Sequence, residues 1–508
     1  VADEVELSGG DASLRLYQVR DVEEIETRLA RGEHVIYVLP TGGGKTVIAA
    51  RVIERAVERG ERVLVLTHRR EILKQTSLKL PVDHGLILAG LNDDLSYPIQ
   101  VASIQTLHAR AIRSDKLTLP AADLLVIDES HHVAARTWRT ILEQYPNARL
   151  LGLTATPCRS DGKGLGNYFN TLIEGPQVAE LIEQKHLTPT IYYAPVEPDL
   201  KGIKTQAGDY QIKQLAERMN RDDLIGDIVS TWHRYGQRRR TIVFCVNVAH
   251  SIHVMDEFVK SGVRAEHLDG ATPKTERDAI LQRLASGETE VVTNCMVLIE
   301  GVDIPSVSCI VLARPTKQLG LFRQMAGRGL RPAPDKTNLI LLDHAGAVYR
   351  HGLLEDKVQW TLDITKRADN PTHAKCEQRG VKRLLECIQC HALREGGEPC
   401  PQCGFQPKRR ADAILFADGE LARVEAGKKA QTTYSPAERT RWHAMLAGIA
   451  LERGYKQGWA AHKYKEKFGA FPAWGSSPQP MTPSPEVLSW VRSRQIAFAK
   501  VRQKENAA

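Results

Sequence analysis

The chain has 508 residues, 42% of them hydrophobic and 26% charged, with a formal net charge of +8. That length exceeds what one core serves, so three or more domains are expected, with the composition of an ordinary soluble chain. No apolar run is long enough to span a bilayer, and the positive charge permits a polyanionic partner without requiring one. The acidic start, Val1-Ala2-Asp3-Glu4-Val5-Glu6, lacks an apolar signal core. Nine cysteines in a chain of this kind point to a reducing compartment, and a cytoplasmic location is expected.

The first informative element is the apolar strand Val35-Ile36-Tyr37-Val38-Leu39, followed by Pro40-Thr41-Gly42-Gly43-Gly44-Lys45-Thr46 and a helix starting near Val47. Glycines let the backbone wrap a phosphate without Cβ clashes, and the free N–H groups and helix N-terminus favour the anion. Lys45 is placed to reach the β and γ phosphates, and Thr46 to hold Mg²⁺ through its hydroxyl. A glycine-rich turn alone could be structural. The preceding strand and the following Lys-Thr favour nucleoside triphosphate binding.

Further buried parallel strands are expected at Val63–Leu66, Ile99–Ala102, Leu124–Ile127 and Leu150–Leu153. Asp128-Glu129-Ser130-His131 follows the third of these directly. An acid at a strand end can hold the other side of Mg²⁺, and a neighbouring Glu can orient or deprotonate water. The pattern restarts after about Pro189, with strands at Thr241–Cys245, Val291–Thr293, Cys309–Leu312 and Leu339–Leu342, but without a second phosphate loop. Near Lys366 the strands stop and cysteines cluster. Beyond Lys408-Arg409-Arg410 the chain reads as helices, with a capping box at Ser435-Pro436-Ala437-Glu438 and a stop at Gly454. Phe471 to Pro485 reads as a linker before a last basic helix.

Taken in order, these motifs resemble a superfamily 2 helicase or translocase of the DExH type, over roughly residues 14–345. Leu14-Arg15-Leu16-Tyr17-Gln18 is similar to the adenine-sensing element, Thr67-His68-Arg69 and Ser103-Ile104-Gln105-Thr106-Leu107 to the strand-gripping motifs, and Leu153-Thr154-Ala155-Thr156-Pro157 to the coupling motif. Ile242–Cys245 resembles the first strand of the second lobe. Thr293-Asn294 with Glu300-Gly301-Val302-Asp303-Ile304-Pro305 resembles the motif linking the lobes, and Gln324–Arg331 the arginine-finger motif. The resemblance implies catalytic roles for Lys45, Asp128, Glu129, Gln324, Arg328 and Arg331. It implies nucleotide contacts at Gln18, Thr41, Gly42, Gly43, Gly44, Lys45, Thr46, Asp128, Gly301 and Asp303, with Mg²⁺ on Thr46 and Asp128. Coupling or nucleic-acid contact falls to His68, Arg69, Gln105, Thr106, Thr154, Thr156, Thr293 and Asn294. Physically, one lobe holds phosphates and metal while the other brings Arg328 and Arg331 to the transferring phosphoryl group, so lobe closure and hydrolysis are coupled. Thr154 stands where many relatives carry Ser, and Gln324 where the RNA-directed DEAD-box branch usually has His. The latter leans toward the DNA-directed branch, which includes type I restriction motors.

Cys387-Ile388-Gln389-Cys390 and Cys400-Pro401-Gln402-Cys403 form two knuckles whose spacing suits a closed Cys₄ structural zinc site resembling a small zinc ribbon, with redox pairs as the rival reading. Cys376 and His391 are nearby and not expected as ligands. Four of the seven tryptophans, Trp442, Trp459, Trp474 and Trp490, lie after residue 440, with aromatics and cations alternating around Tyr455–Trp459 and His462–Phe468. This pattern fits stacking on unpaired bases, or equally a small helical core with a basic face. No nuclease signature is present; Pro334-Asp335-Lys336 is read as a structural turn.

The expected fold is α/β: two tandem RecA-like domains with parallel sheets (1–187 and 188–365), then a small zinc ribbon (366–410) and a basic, mainly helical module (411–508). The expected function is an ATP- and Mg²⁺-dependent, zinc-containing DNA helicase or translocase. The alternatives are a nucleic-acid-stimulated ATPase that anneals strands, displaces proteins or drives a partner nuclease, an RNA helicase, or a zinc-dependent binding adaptor.

Overall fold

A computed structural model describes residues 14–68, 83–90, 94–159, 161–194, 198–366, 384–406, 434–456, 458–473, 478–484, 486–491 and 494. The chain divides into two compact units, 1–411 and 412–508.

The first unit begins with helix α1 (Leu16–Ala30), which buries Val22, Ile25 and Leu29. A seven-stranded sheet follows, built from β1 (Val35–Val38), β2 (Val63–Thr67), β3 (Gly85–Ile87), β4 (Ile99–Ser103), β5 (Leu124–Asp128), β6 (Arg149–Thr154) and β7 (Thr171–Glu174). Its order is β3-β4-β2-β5-β6-β1-β7, and every pairing is parallel. β1, β2 and β4 are buried along their whole length, which is why they read as unbroken apolar runs. The order brings the chemistry together. β6 lies between β5 and β1, with Asp128 opposite Leu153 and Val38 opposite Thr154. The loops leaving the C-terminal ends of these three strands therefore share one edge.

A second parallel sheet, ordered β12-β13-β11-β14-β15-β8, uses β8 (Thr190–Tyr193), β11 (Thr241–Phe244), β12 (Ala265–Leu268), β13 (Val291–Asn294), β14 (Cys309–Leu312) and β15 (Leu339–Asp343). The strands β9 (Thr205–Gln206) and β10 (Asp209–Tyr210) form a separate short antiparallel hairpin. These two parallel sheets are tandem RecA-like lobes.

β16 (Leu384–Glu386) and β17 (Leu393–Glu395) pair antiparallel and carry the first cysteine knuckle between them. Cys387, Ala392 and Cys400 join a core cluster with Ile191, Val311 and Ile340 of the second sheet. The knuckles are thus packed against that lobe. His391 is engaged by Glu386 at 2.6 Å, and Cys376 lies outside the described residues.

In the second unit the helix Pro436–Glu452 opens as expected: Ser435 N donates to Glu438 Oε2 at 2.7 Å and Glu438 N to Ser435 Oγ at 3.3 Å. It ends next to Gly454, whose φ is +63°. Trp442, Met445, Leu446 and Ile449 form a small core with Val487 and Val491. Lys467 of the helix Trp459–Phe468 lies 4.6 Å from the Trp442 ring centroid and 5.1 Å from that of Tyr434. The alternation of aromatics and cations is therefore spent largely inside a helical core. Trp474 lies outside the described residues.

Candidate active site

The turn between β1 and helix α2 (Lys45–Glu58) is held open by glycine conformations: φ is +87° at Gly42 and +95° at Gly44. A side chain at either position would be strained. A Cβ on Gly44 would also lie 2.5 Å from Gln18 Nε2. Gln18 is buried, and its Oε1 accepts from Arg15 N at 3.0 Å, closing the start of α1. Beside it Tyr17 donates its hydroxyl proton to the Gly43 carbonyl. Tyr17 props the loop, a role that nothing in the sequence pattern marks.

Lys45 Nζ donates to the carbonyls of Leu39 at 3.0 Å and Pro40 at 3.5 Å. Burial lowers its pKa, Glu129 and Asp128 act in the opposite sense, and Arg328 and Arg331 lower it further. Asp128 is pushed up to about 7 by burial and by Glu129, with Lys45 opposing. Such a cluster favours a bound group that brings both phosphate charge for the cations and a cation for the acids. Glu129 has φ +50°, and its Oε2 is buried with no hydrogen bond among the described residues. A carboxylate oxygen left this way is available to a water.

The second lobe meets this loop directly. A Cβ on Gly327 would lie 3.2 Å from Thr41 Cβ, and one on Gly42 would lie 3.1 Å from Arg331 Cγ. Arg328 Nη1 and Arg331 Nη1 both donate to the Val302 carbonyl, at 2.9 and 3.1 Å, and Arg331 pairs with Asp303 at 3.0 Å. Lys336 Nζ ties the same turn down: the carbonyls of Val307, Gly329, Arg331 and Pro305 lie at 2.6, 2.7, 2.7 and 3.2 Å.

A polar chain crosses the cleft. His131 Nδ1 is 3.5 Å from Glu129 Oε2 and 3.3 Å from Thr154 Oγ1. Thr156 N donates to Thr154 Oγ1 at 3.0 Å, and Gln324 Nε2 of the second lobe donates to Thr156 Oγ1 at 3.3 Å. Glu300 makes a second crossing. Its carboxylate lies 3.3 Å from His131 Nε2, 3.2 Å from His132 Nε2 and 3.5 Å from His68 Nδ1. Burial opposes ionisation of Glu300, but His131 and His132 outweigh it and hold the carboxyl far below its usual range. Burial likewise opposes charge on His131, and Glu300 and Glu129 overcome it and raise the pKa.

Residues 11–159 match the family described as "Type III restriction enzyme, res subunit", and residues 221–333 match the helicase conserved C-terminal domain. A 51.5 kDa protein of a Lactococcus phage (isolate 7-9) is 30% identical over 392 residues, covering 77% of this chain and 82% of the phage protein. The chain belongs to the superfamily 2 helicases and translocases. A Saccharomyces cerevisiae protein, provisionally named ATP-dependent helicase IRC3, is 31% identical over 361 residues; the match covers 66% of this chain but 52% of the yeast protein. Among solved structures, a fragment assigned to the HsdR subunit of a type I restriction enzyme from Vibrio vulnificus YJ016 superposes with a TM-score of 0.54 at 23% identity, covering 67% of this chain and 65% of that one. That last likeness concerns fold alone.

Superfamily 2 motifs imply ATP and Mg²⁺, and the donor set suits them: a glycine cradle at a helix N-terminus, Lys45, Thr46 at the second position of α2, and Asp128. Not every expected residue reaches the cleft. Thr293 and Asn294 are fully buried; Thr293 Oγ1 donates to Ser251 O at 2.9 Å and Asn294 Nδ2 to Val243 O at 2.9 Å. Asn294 Oδ1 also accepts from Leu298 N at 3.3 Å. Of the two roles expected for this pair, coupling or nucleic-acid contact, their buried bonds favour the first, since they shape the segment leading to Glu300. Thr106 is buried and Gln105 exposed, with Gln105 Oε1 accepting from Ser103 Oγ at 3.0 Å. His68 faces Glu300 and the His132 ring, and Arg69 lies outside the described residues.

In the knuckles all four cysteine sulfurs lie within 4.8 Å of one another. Cys387 and Cys403 Sγ are 3.7 Å apart, and Cys390 and Cys400 Sγ 3.5 Å apart. A tetrahedral ion with Zn–S bonds of about 2.3 Å holds its sulfurs about 3.8 Å apart.

Proposed function

We propose that the chain is an ATP-dependent DNA helicase or translocase in which nucleotide hydrolysis drives closing and opening of the two lobes. The observation that carries this reading is the cleft itself: the Arg331 side chain lies against Gly42 of the phosphate loop while its guanidinium is held by Val302 and Asp303. Lys45 and the loop amides bind the β and γ phosphates, and Glu129 orients the attacking water and takes up its proton. Arg328 and Arg331 stabilise charge that develops on the transferring phosphoryl oxygens. Thr46 and Asp128 would hold magnesium, which when bound would neutralise phosphate charge. The Glu129–His131–Thr154–Thr156–Gln324 chain gives the triphosphate site a direct route to the second lobe.

DNA is the preferred polymer because Gln324, Asp128-Glu129-Ser130-His131 and Glu300-Gly301-Val302-Asp303-Ile304-Pro305 resemble the DNA-directed branch. Zinc in the Cys₄ site is part of the proposal; the sulfur spacings match a tetrahedral ion, and thiols kept free suit a cytoplasmic location. A strand-displacement assay run beside an annealing assay tests the motor reading. ATP-dependent displacement abolished by Lys45→Ala supports it. Annealing without displacement moves the chain to a remodelling ATPase, and activities untouched by Lys45→Ala contradict it.

A further inference from the structure

A cavity of about 1020 Å³ lies between the lobes, and Arg314, Lys317, Thr156, Gln324 and Gly208 are among its walls. None of residues 40–46 lines it, so among the described residues it is distinct from the triphosphate cradle. Its size is at the upper end of the roughly 300–1,000 Å³ typical of small-molecule pockets.

Arg314 follows the end of β14 and is 5% exposed. Its Nε and Nη1 are buried without a hydrogen-bond partner among the described residues. The carboxylate of Asp209 approaches Nη2 only to 3.6 Å, beyond hydrogen-bond range. That carboxylate is already engaged: it accepts from Thr316 Oγ1 at 2.9 Å, Lys317 N at 2.7 Å and Tyr210 N at 2.9 Å. These bonds fasten the β9–β10 hairpin onto the segment carrying Arg314. Lys317 Nζ donates to Thr205 Oγ1 and lies 4.7 Å from the Tyr210 ring centroid. A guanidinium cannot deprotonate to escape burial, and its planar fork matches the oxygens of a phosphate.

We propose that Arg314 is a phosphate seat, holding a backbone phosphate of the nucleic-acid strand in the interlobe cavity, with Lys317 beside it and the hairpin Thr205–Tyr210 fixing its approach. The proposal rests on the strand-driven motor reading. It also puts the seat in the same cavity as Thr156 and Gln324, whose hydrogen bond joins the lobes. A phosphate arriving at Arg314 therefore enters the cavity that the relay to Glu129 also lines.

The test is binding of the full chain to a fluorescein-labelled oligothymidylate, followed by anisotropy over a salt series. Loss of one phosphate contact lowers the slope of log K against log salt by about 0.7 for single strands. Arg314→Gln is expected to show that lowered slope with affinity reduced about tenfold or more at low salt. Arg314→Lys is expected to keep the slope and bind several-fold more weakly, because a point charge replaces a two-pronged fork. Thermal unfolding checks that each variant is folded. If Arg314→Gln does not fold, Arg314→Lys carries the test, and wild-type affinity in that variant overturns the seat. A wild-type slope and affinity in Arg314→Gln likewise overturn it while leaving the motor reading in place. A parent chain that binds no strand at any salt overturns both.

Discussion

Lys336→Met is the perturbation that probes how the arginines are held. One ammonium carries three donors, yet four carbonyls lie within 3.2 Å of it, from the two loops that present Val302, Arg328 and Arg331. Hydrogen bonds to a charged group contribute about 1.5–3 kcal/mol each. Burying the ammonium costs several kcal/mol in return. Removing the ammonium leaves these carbonyls short of a donor, at about 1–3 kcal/mol for each that stays buried, which here falls on local order in the arginine turn. A shift of about 1 Å in a transition-state contact costs about 10²-fold in rate. Losing an arginine finger entirely costs about 10³–10⁵-fold, which sets the upper limit. Lys336→Met is therefore expected to lower kcat for ATP hydrolysis about 100-fold with little change in KM, since Lys45 and the loop amides are untouched. Burial, with Arg331 and Arg239, pushes the Lys336 pKa down to about 7, so turnover is expected to fall as pH rises above that value. Lys336→Arg, charged at every accessible pH, should lack this alkaline limb. A steady-state pH–rate profile of the three proteins decides it. Wild-type kcat in Lys336→Met would show that Lys336 does not hold the arginines in place.

Glu129→Gln is expected to bind ATP normally and to hydrolyse it about 10²–10⁴-fold more slowly, in single-turnover measurements; normal hydrolysis would remove Glu129 from its role. Purified chain is expected to carry one zinc ion by elemental analysis, and Cys390→Ser to lose it and unfold at a lower temperature, because the knuckles share a core with the second sheet; an unchanged melting temperature would count against a structural ion. The Glu300 contact should depend on pH. His131 has its pKa raised above 6.5 in the folded chain, so its contribution is complete below pH 6.5 and is lost as pH rises through the raised value. Glu300 is depressed below 4.5, so its contribution is present above that value and fades only in stronger acid. Fluorescence transfer between labels on the two lobes is expected to report a looser cleft at higher pH, and Glu300→Gln should flatten that response.

The central strands of both lobes were legible because parallel strands buried on both faces must be continuous apolar runs, as in Val63–Leu66 and Leu339–Leu342, whereas β3, β7, β8 and β12, at the sheet edges, were not expected. The phosphate loop and Asp128-Glu129 were legible because their spacing is set by local turns at strand ends. The β9–β10 hairpin, with two residues per strand, leaves no periodicity to detect. The meeting of His132 with Glu300 spans 168 positions, and only the closing of one lobe on the other creates it. For Thr293 and Asn294 the motif gave the right segment, but side-chain direction, which decides between coupling and strand contact, follows from packing against Ser251 and Val243. Lys336 was visible as part of a turn, and its four carbonyls appear only once two loops converge.

In the proposed motor a nucleic-acid strand controls ATP turnover between these lobes. The most direct test of this control is the steady-state ATPase rate with no nucleic acid, single-stranded DNA, forked DNA and matched RNA, all at one fixed low salt because strand binding is salt-dependent. Strong stimulation by DNA and little by RNA is expected. A rate that no strand changes would contradict it.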